Sequence, residues 1–227
     1  MSFTERFTQN FIDEQRYLYL AKGLGNTIVI TIFAVLLGIL LGFLVAIVRT
    51  THERHGNMKI LDGICNLYLT IIRGTPVMVQ LLIMFYVIFA SSTNKIMVAV
   101  LTFGINSGAY VAEIVRSGIQ SIDKGQFEAG RSLGFTYAQT MKLIIVPQAI
   151  KNVLPALMNE LIVLLKETSV CGYIGLMDLT KGGDIIRSRT YEAFLPLIAV
   201  AIIYLVIVCG LQALAKRIEW RLRASER

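Results

Sequence analysis

Charge is scarce in this chain of 227 residues: Asp, Glu, Lys and Arg make up 16% of it, against 55% hydrophobic residues. Soluble domains carry about 25% charged residues, so an ordinary water-soluble globule is excluded. Disorder is excluded too, because so much apolar surface drives collapse. Cysteine is sparse. Cys65, Cys171 and Cys209 have neither metal nor redox spacing, and an odd number cannot all pair internally. The two histidines, His52 and His55, share one polar stretch, which reads as a solvated loop rather than a metal site. No G-x-x-x-x-G-K-[ST] loop is present, so ATP has no P-loop here. No HExxH helix, Cys-rich cluster or Ser-His-Asp arrangement appears either, and the chain reads as a protein without catalysis, metal or cofactor of its own. Any energy it uses must come from a separate subunit or an ion gradient.

What the chain does have is apolar runs. Residues 27–48 carry no charge. At about 1.5 Å per residue they cross a hydrocarbon core of roughly 30 Å. Mixed charges precede this run, and it is longer than the core of a signal peptide, so it reads as a retained span. Residues 60–90 form a second stretch, interrupted by Arg73 and Pro76 and long enough to tilt or bend; residues 96–115 form a third. Residues 149–165 form the weakest, since they contain Lys151, Pro155, Asn159 and Glu160; residues 194–215 form a clear fifth. The expected fold is all-α, a polytopic bundle of five transmembrane helices. A net charge of +7 suggests nucleic acid in a soluble protein, but here the basic residues flank the apolar runs, as in a membrane protein with a positive cytoplasmic side. The connection after the first span, the one between the third and fourth, and the tail hold 13 Lys and Arg, counting Lys151 just inside the fourth span; the opposite side holds 7. This bias predicts a multi-pass protein with its N-terminus outside and its C-terminus in the cytoplasm. It also supports the weak fourth span, without which the basic tail would fall outside.

Phe3, Phe7 and Phe11 recur every four residues, so residues 1–22 read as an N-terminal amphipathic segment on the outer membrane surface, ahead of a transmembrane domain over residues 23–227. Gly38/Gly42 and Gly104/Gly108 have the GxxxG spacing that lets helices approach closely in lipid, without identifying which helices meet. The connection from Arg116 to Gln148 has apolar residues at helical spacing, such as Phe127, Leu133 and Leu143. Two short helices joined at a left-handed Gly134 account for it, with Pro147 opening the fourth span. Such a pair either docks something or only seals the bundle.

Within that connection, Glu128-Ala129-Gly130, Gly134, Ile144 and Pro147 resemble the EAA motif of ATP-binding-cassette (ABC) importer permeases, E-A-A, x3, G, x9, I-x-L-P. Gly130 replaces the second alanine, and Val146 replaces leucine. Arg73-Gly74-Thr75-Pro76, Gly108-Ala109-Tyr110 with Glu113, Gly118-Ile119, Gly125-Gln126 and Lys166-Glu167-Thr168-Ser169 resemble the polar amino acid uptake branch of these permeases, the histidine, glutamine, arginine and glutamate type. The resemblance implies a type I importer permease, with residues 125–147 forming cytoplasmic coupling helices that sit in an ATPase subunit. It implies work as a dimer, with a second copy or a sister permease, two ATPase subunits that bind ATP and Mg, and a solute-binding protein. It also implies the bacterial cytoplasmic membrane as location. The ATPase-coupling residues are then Glu128, Ala129, Gly130, Gly134, Ile144 and Pro147.

Polar groups are expensive in lipid. Gln80, Asn106, Ser107, Tyr110, Asn159 and Glu160 are therefore expected to line a substrate path, Glu160 facing an ammonium group. The alternative is that Glu160 pairs with Lys151, Arg73 or Lys166 and only holds the bundle. Arg73 and Pro76 read as structural, the guanidinium tying off carbonyls freed at the proline. The segment 167–192 mixes both signs with glycines and reads as an outer loop, either solvated or receiving the binding protein. The competing function is a secondary amino acid transporter driven by an ion gradient, which would usually show paired repeats with broken helices.

Overall fold

The computed structural model describes residues 2–224, and all regular structure among them is helical. Helix α1 (Phe3–Phe7) runs into a wide π-turn over Thr8–Ile12. Next come α2 (Tyr17–His55), α3 (Lys59–Gly74) and α4 (Val77–Ile83), the last ending in a π-turn over Met84–Ile88. Helix α5 (Lys95–Gln120) precedes the short α6 (Lys124–Ser132) and α7 (Tyr137–Thr140). The chain then forms α8 (Val146–Glu167), α9 (Leu179–Thr190) and α10 (Phe194–Ala224). Among the described residues, four helices are long and apolar enough to cross a membrane: Tyr17–Glu53, Lys95–Gln120, Tyr137–Ile174 and Phe194–Leu222. Helices α3 and α4 make up the length of a fifth span, but bent by 107°.

The bend has a local cause. Pro76 has no N–H, and it pushes Thr75 out of helical conformation to φ −123°, ψ 144°. The second apolar stretch is therefore a broken element rather than a tilted rod. Its freed carbonyls are taken by Gln80, whose amide donates to Ile72 O at 2.8 Å and Thr75 O at 3.1 Å. The expectation that Arg73 does this is corrected: its guanidinium lies 3.6 Å from Glu113. A neutral amide reaches back along its own chain without carrying a charge into the bundle.

The tightest packing is between α2 and α5, and both glycine pairs make it. A methyl on Gly38 would meet Ser107 Cβ at 2.8 Å, and one on Gly42 would meet Val111 Cβ at 2.5 Å. From the other side, Gly104 lies under Leu37 and Gly108 under Leu41 and the Tyr68 hydroxyl. The two motifs thus face each other. Lipid supplies no hydrophobic drive for helix association, so this close backbone approach and its dispersion contacts hold the pair. Beside it, Phe103, Leu81, Leu164, Cys171 and Ile174 form a buried core joining α2, α4, α5 and α8.

At one end of the bundle, α1 is moored to α9. Asn10 is fully buried; its amide donates to Glu192 Oε2 (2.6 Å), and its carbonyl accepts from Thr190 Oγ1 (2.8 Å). Arg6 pairs with the same Glu192 carboxylate, which the contact holds below its ordinary pKa. The rings of Phe7 and Phe11 meet at a tilt of 53°, 5.1 Å apart, with Phe11 buried and Phe3 and Phe7 exposed. Part of the expected outer loop is ordered: residues 168–174 form a 3-10 helix and α9 follows, capped by the buried Asp178 through Thr180 N (2.9 Å) and Lys181 N (3.2 Å). The histidine reading is also corrected. Helix α2 continues through residue 55, and His52 lies in its last turns with Nδ1 2.6 Å from Asn57 O.

Candidate functional site

Two regions answer to the predicted sites. The first is the segment between α5 and α8. Asp123 caps α6 through Gly125 N at 2.6 Å, and Thr136 with Gln139 forms a capping box for α7. Between them, Phe135 N donates to Gly130 O (3.0 Å) and Gly134 N to Arg131 O (2.9 Å). That pair of bonds is the Schellman closure of a helix C-terminus, which needs a left-handed residue at Gly134. Its φ is +79°. Phe127 and Tyr137 stack at 6.2 Å across the turn. Gly130 is buried against α7, where a methyl would lie 2.6 Å from Thr140 Cγ2. This explains the glycine where the family pattern has alanine. Glu128, Ala129, Gly134 and Pro147 are exposed, while Ile144 packs into the apolar cluster of Ile122, Ile145 and Ala149 that ties the segment to the end of α5. The segment is a rigid knuckle with an open outer face.

Pro147 lies in the first turn of α8, as expected, but helical backbone reaches further back through a π-turn into α7. The helix starts at Tyr137 and runs without a break to Ile174. A π-turn over Met141–Ile145 precedes the proline. Such a bulge widens the helix where the prolyl ring would crowd the preceding turn and a backbone donor is missing.

The second region is a cleft of about 380 Å³ between α3, α5 and α8, lined by Arg73, Tyr110, Glu113, Ser117, Asn152 and Glu160 among others. Glu160 is largely buried and accepts from Ser107 Oγ at 2.8 Å. Arg73 lies over the Tyr110 ring at 5.8 Å and beside Glu113, which also binds Arg116. Of the six predicted path residues, Tyr110 and Glu160 line the cleft, and Ser107 orients Glu160. Gln80 and Asn106 are bonded to each other at 3.0 Å away from it, and Asn159 is exposed and does not line it. Sequence reasoning missed Asn152 and Ser117 as lining groups. Asn152, Ala156 and Glu160 recur every four residues, a one-face spacing that could have found the first.

Membrane-length helices around a polar cleft, with a rigid helical knuckle at one end, define a membrane transport subunit. Residues 38–224 match the family model of the binding-protein-dependent transport system inner membrane component. GlnP of Rickettsia typhi, named for a glutamine transport system, is 39% identical over 90% of this chain and 93% of its own length. The arginine transport system permease protein ArtQ of Bacillus subtilis is 34% identical over 92% of this chain and 94% of its own. Among solved structures, an amino acid ABC transporter crystallised with histidines superposes with a TM-score of 0.85 at 42% identity, over 93% of this chain and 98% of that one. The inward-facing MetNI methionine transporter shares the fold at a TM-score of 0.78 and 20% identity, over 91% of this chain and 97% of that one. The chain belongs to the family of inner membrane components of binding-protein-dependent transport systems. It is a multi-pass permease component of an ABC importer, a transport subunit without a catalytic site.

Proposed function

We propose that this permease passes a polar amino acid through the cleft beside Glu160, and that residues 125–147 couple the passage to ATP use by partner subunits. The observation that carries the reading is the single helix Tyr137–Ile174, which starts in the EAA-like knuckle and bears Glu160 in the cleft. From Tyr137 to Glu160 the rise is roughly 35 Å. A packed helix transmits displacement as a body, so a motion imposed on the knuckle moves one wall of the cleft. The exposed Glu128 and Ala129 offer the contact for an ATPase, Gly134 fixes the turn behind them, and Ile144 anchors the knuckle to α5.

The cleft suits such a substrate. Glu160 offers a carboxylate to an ammonium group, Tyr110, Ser117 and Asn152 offer neutral polar contacts, and the Arg73–Glu113 pair forms a charged wall. Relatives named for glutamine and arginine transport support a polar amino acid as cargo. The working assembly is two permease chains, two ATPases that hold ATP and Mg, and an extracellular solute-binding protein. The N-terminus and residues 1–22 lie outside, and the knuckle and the C-terminus lie in the cytoplasm, supported by the excess of Lys and Arg at those connections.

The test is uptake and ATP hydrolysis by the assembled transporter in proteoliposomes with its binding protein. Glu160→Gln is expected to lower uptake several-fold and shift substrate preference. Gly134→Leu is expected to abolish uptake while the ATPases keep their basal hydrolysis. Unchanged uptake and preference in the first variant removes the path role, and wild-type uptake in the second removes the coupling role.

A further inference from the structure

Other residues of α5 and α8 line a second opening. It is an apolar groove of about 350 Å³ between α2, α5 and α8, walled by Ala46, Ile47, Val115, Ala149, Ile150 and Val153. Ile47 and Ile150 are exposed, so the groove faces outward from the bundle. Any acyl chain would cover it. Its end is what distinguishes it. Thr50, Ile119 and Tyr137 line both this groove and a further cleft of about 470 Å³ that holds Arg116, Lys124, Gln120 and Glu53. The uncharged run of α2 ends at residue 48, Glu53 lies just beyond it, and Gln120 is the last residue of α5, so this cleft sits at the polar ends of both helices, where a span passes from hydrocarbon to head groups.

The charges in the polar cleft have a pattern. Arg116 donates to Glu113 and, from Nη1, to Gln120 at 3.2 Å, which leaves guanidinium N–H groups unused. Lys124 is exposed and has no ion pair among the described residues. Glu53 lies on the facing helix, near enough to act on Arg116 electrostatically. Glu113 offsets the Arg116 charge, so the cleft presents the Lys124 ammonium and the unused Arg116 N–H groups on one side and the Glu53 carboxylate on the other; next to an apolar groove, these match a phosphate and an ammonium on one molecule with a hydrocarbon tail. A purely anionic head group would satisfy the cations but meet the Glu53 carboxylate unfavourably. A quaternary ammonium would carry the charge without an N–H to donate.

We propose that the groove and the polar cleft together bind one ethanolamine phospholipid: an acyl chain along α2 and α8, the phosphate at Arg116 and Lys124, and the ammonium at Glu53. Because Tyr137 and Lys124 belong to the knuckle region, the bound lipid props that region against the ends of α2 and α5.

Native mass spectrometry of the assembled transporter, extracted from bilayers of equal parts phosphatidylethanolamine, phosphatidylglycerol and phosphatidylcholine, reads the site directly. Wild type is expected to retain the ethanolamine lipid about tenfold over either other, the scale of one charge-assisted hydrogen bond. Glu53→Gln should abolish its advantage over phosphatidylglycerol, and Lys124→Ala should lower retention of all three lipids, since each carries a phosphate. A cryo-electron microscopy map of the complex in ethanolamine-lipid nanodiscs should show a chain in the groove ending at Lys124. Equal retention of the three lipids, or an unchanged preference in Glu53→Gln, overturns the proposal. So does a protein segment of a second copy or of an ATPase filling the groove.

Discussion

Replacing Gly130 with alanine would restore the residue of the EAA pattern, yet the structure predicts that it weakens the knuckle. The new methyl would lie 2.6 Å from Thr140 Cγ2 and 2.7 Å from its Oγ1, where ordinary contact begins at 3.4 Å. Thr140 has little room to retreat, being 1% exposed with its hydroxyl donating to Thr136 O at 3.1 Å. Overpacking of this kind costs about 1–3 kcal/mol. Alanine also gains about 1 kcal/mol of helix propensity over glycine in α6. The clash is the larger effect, so the net loss is roughly 1 kcal/mol, taken by opening the α6–α7 angle. Thr140→Ala removes both close atoms and leaves its Cβ at 3.2 Å, so the double variant should recover most of the loss. Hydrogen exchange of residues 124–140 in the assembled transporter measures the local opening, and ATP hydrolysis stimulated by the binding protein measures the consequence. Gly130→Ala should exchange about fivefold faster and stimulate less, and the double variant should return toward wild type on both. Exchange as slow as wild type in the single variant, or no recovery in the double, would refute the packing argument.

Two other expectations follow from the same reasoning. Gly42→Val should push α2 off α5, because its Cβ alone would meet Val111 Cγ1 at 2.5 Å; thermal unfolding in detergent should fall by several degrees, and Gly25→Val, with nothing within 4 Å, should change it little. The mooring of α1 should weaken in acid. Glu192 is held below its ordinary pKa first by its hydrogen bond from Arg6, and Asp184 below its own first by Lys181 (2.8 Å) and then by Arg187. A lowered folded pKa stabilises fully above the unfolded value, and the gain is lost as pH falls through the folded one. Proteolysis within residues 2–12 should therefore accelerate below about pH 4 and not between pH 6 and 8, and Glu192→Gln should make it fast throughout. An α1 cut equally fast at about pH 3 and about pH 7 in wild type would refute the mooring.

Much of the fold could be read from the chain because the bilayer imposes a one-dimensional rule. A helix in lipid must be long and apolar, so the runs around residues 27–48, 96–115 and 194–215 mark α2, α5 and α10, extending beyond each run where polar ends leave the membrane. The bend at Pro76 and the turn at Gly134 were equally legible, since proline and a left-handed glycine act through the backbone alone. What could not be read was which polar groups spend themselves on each other. Gln80 and Asn106 looked like path residues, but the Pro76 break gives Gln80 carbonyls to satisfy and Asn106 follows it. Arg73 looked structural through those carbonyls, but it stands at the cleft beside Glu113, and that partner lies forty residues along the chain in α5.

The sequence by itself determined the number of apolar elements, their breaks, and the motif between the third and fourth spans, because composition and backbone chemistry act locally. Only the tertiary structure decided that the two glycine pairs face each other, that one unbroken helix joins the knuckle to Glu160, and that Gly130 is glycine on account of Thr140. Those are facts of contact between residues distant in sequence or across a turn, and they are set by how closely two surfaces pack, a quantity that no single segment contains.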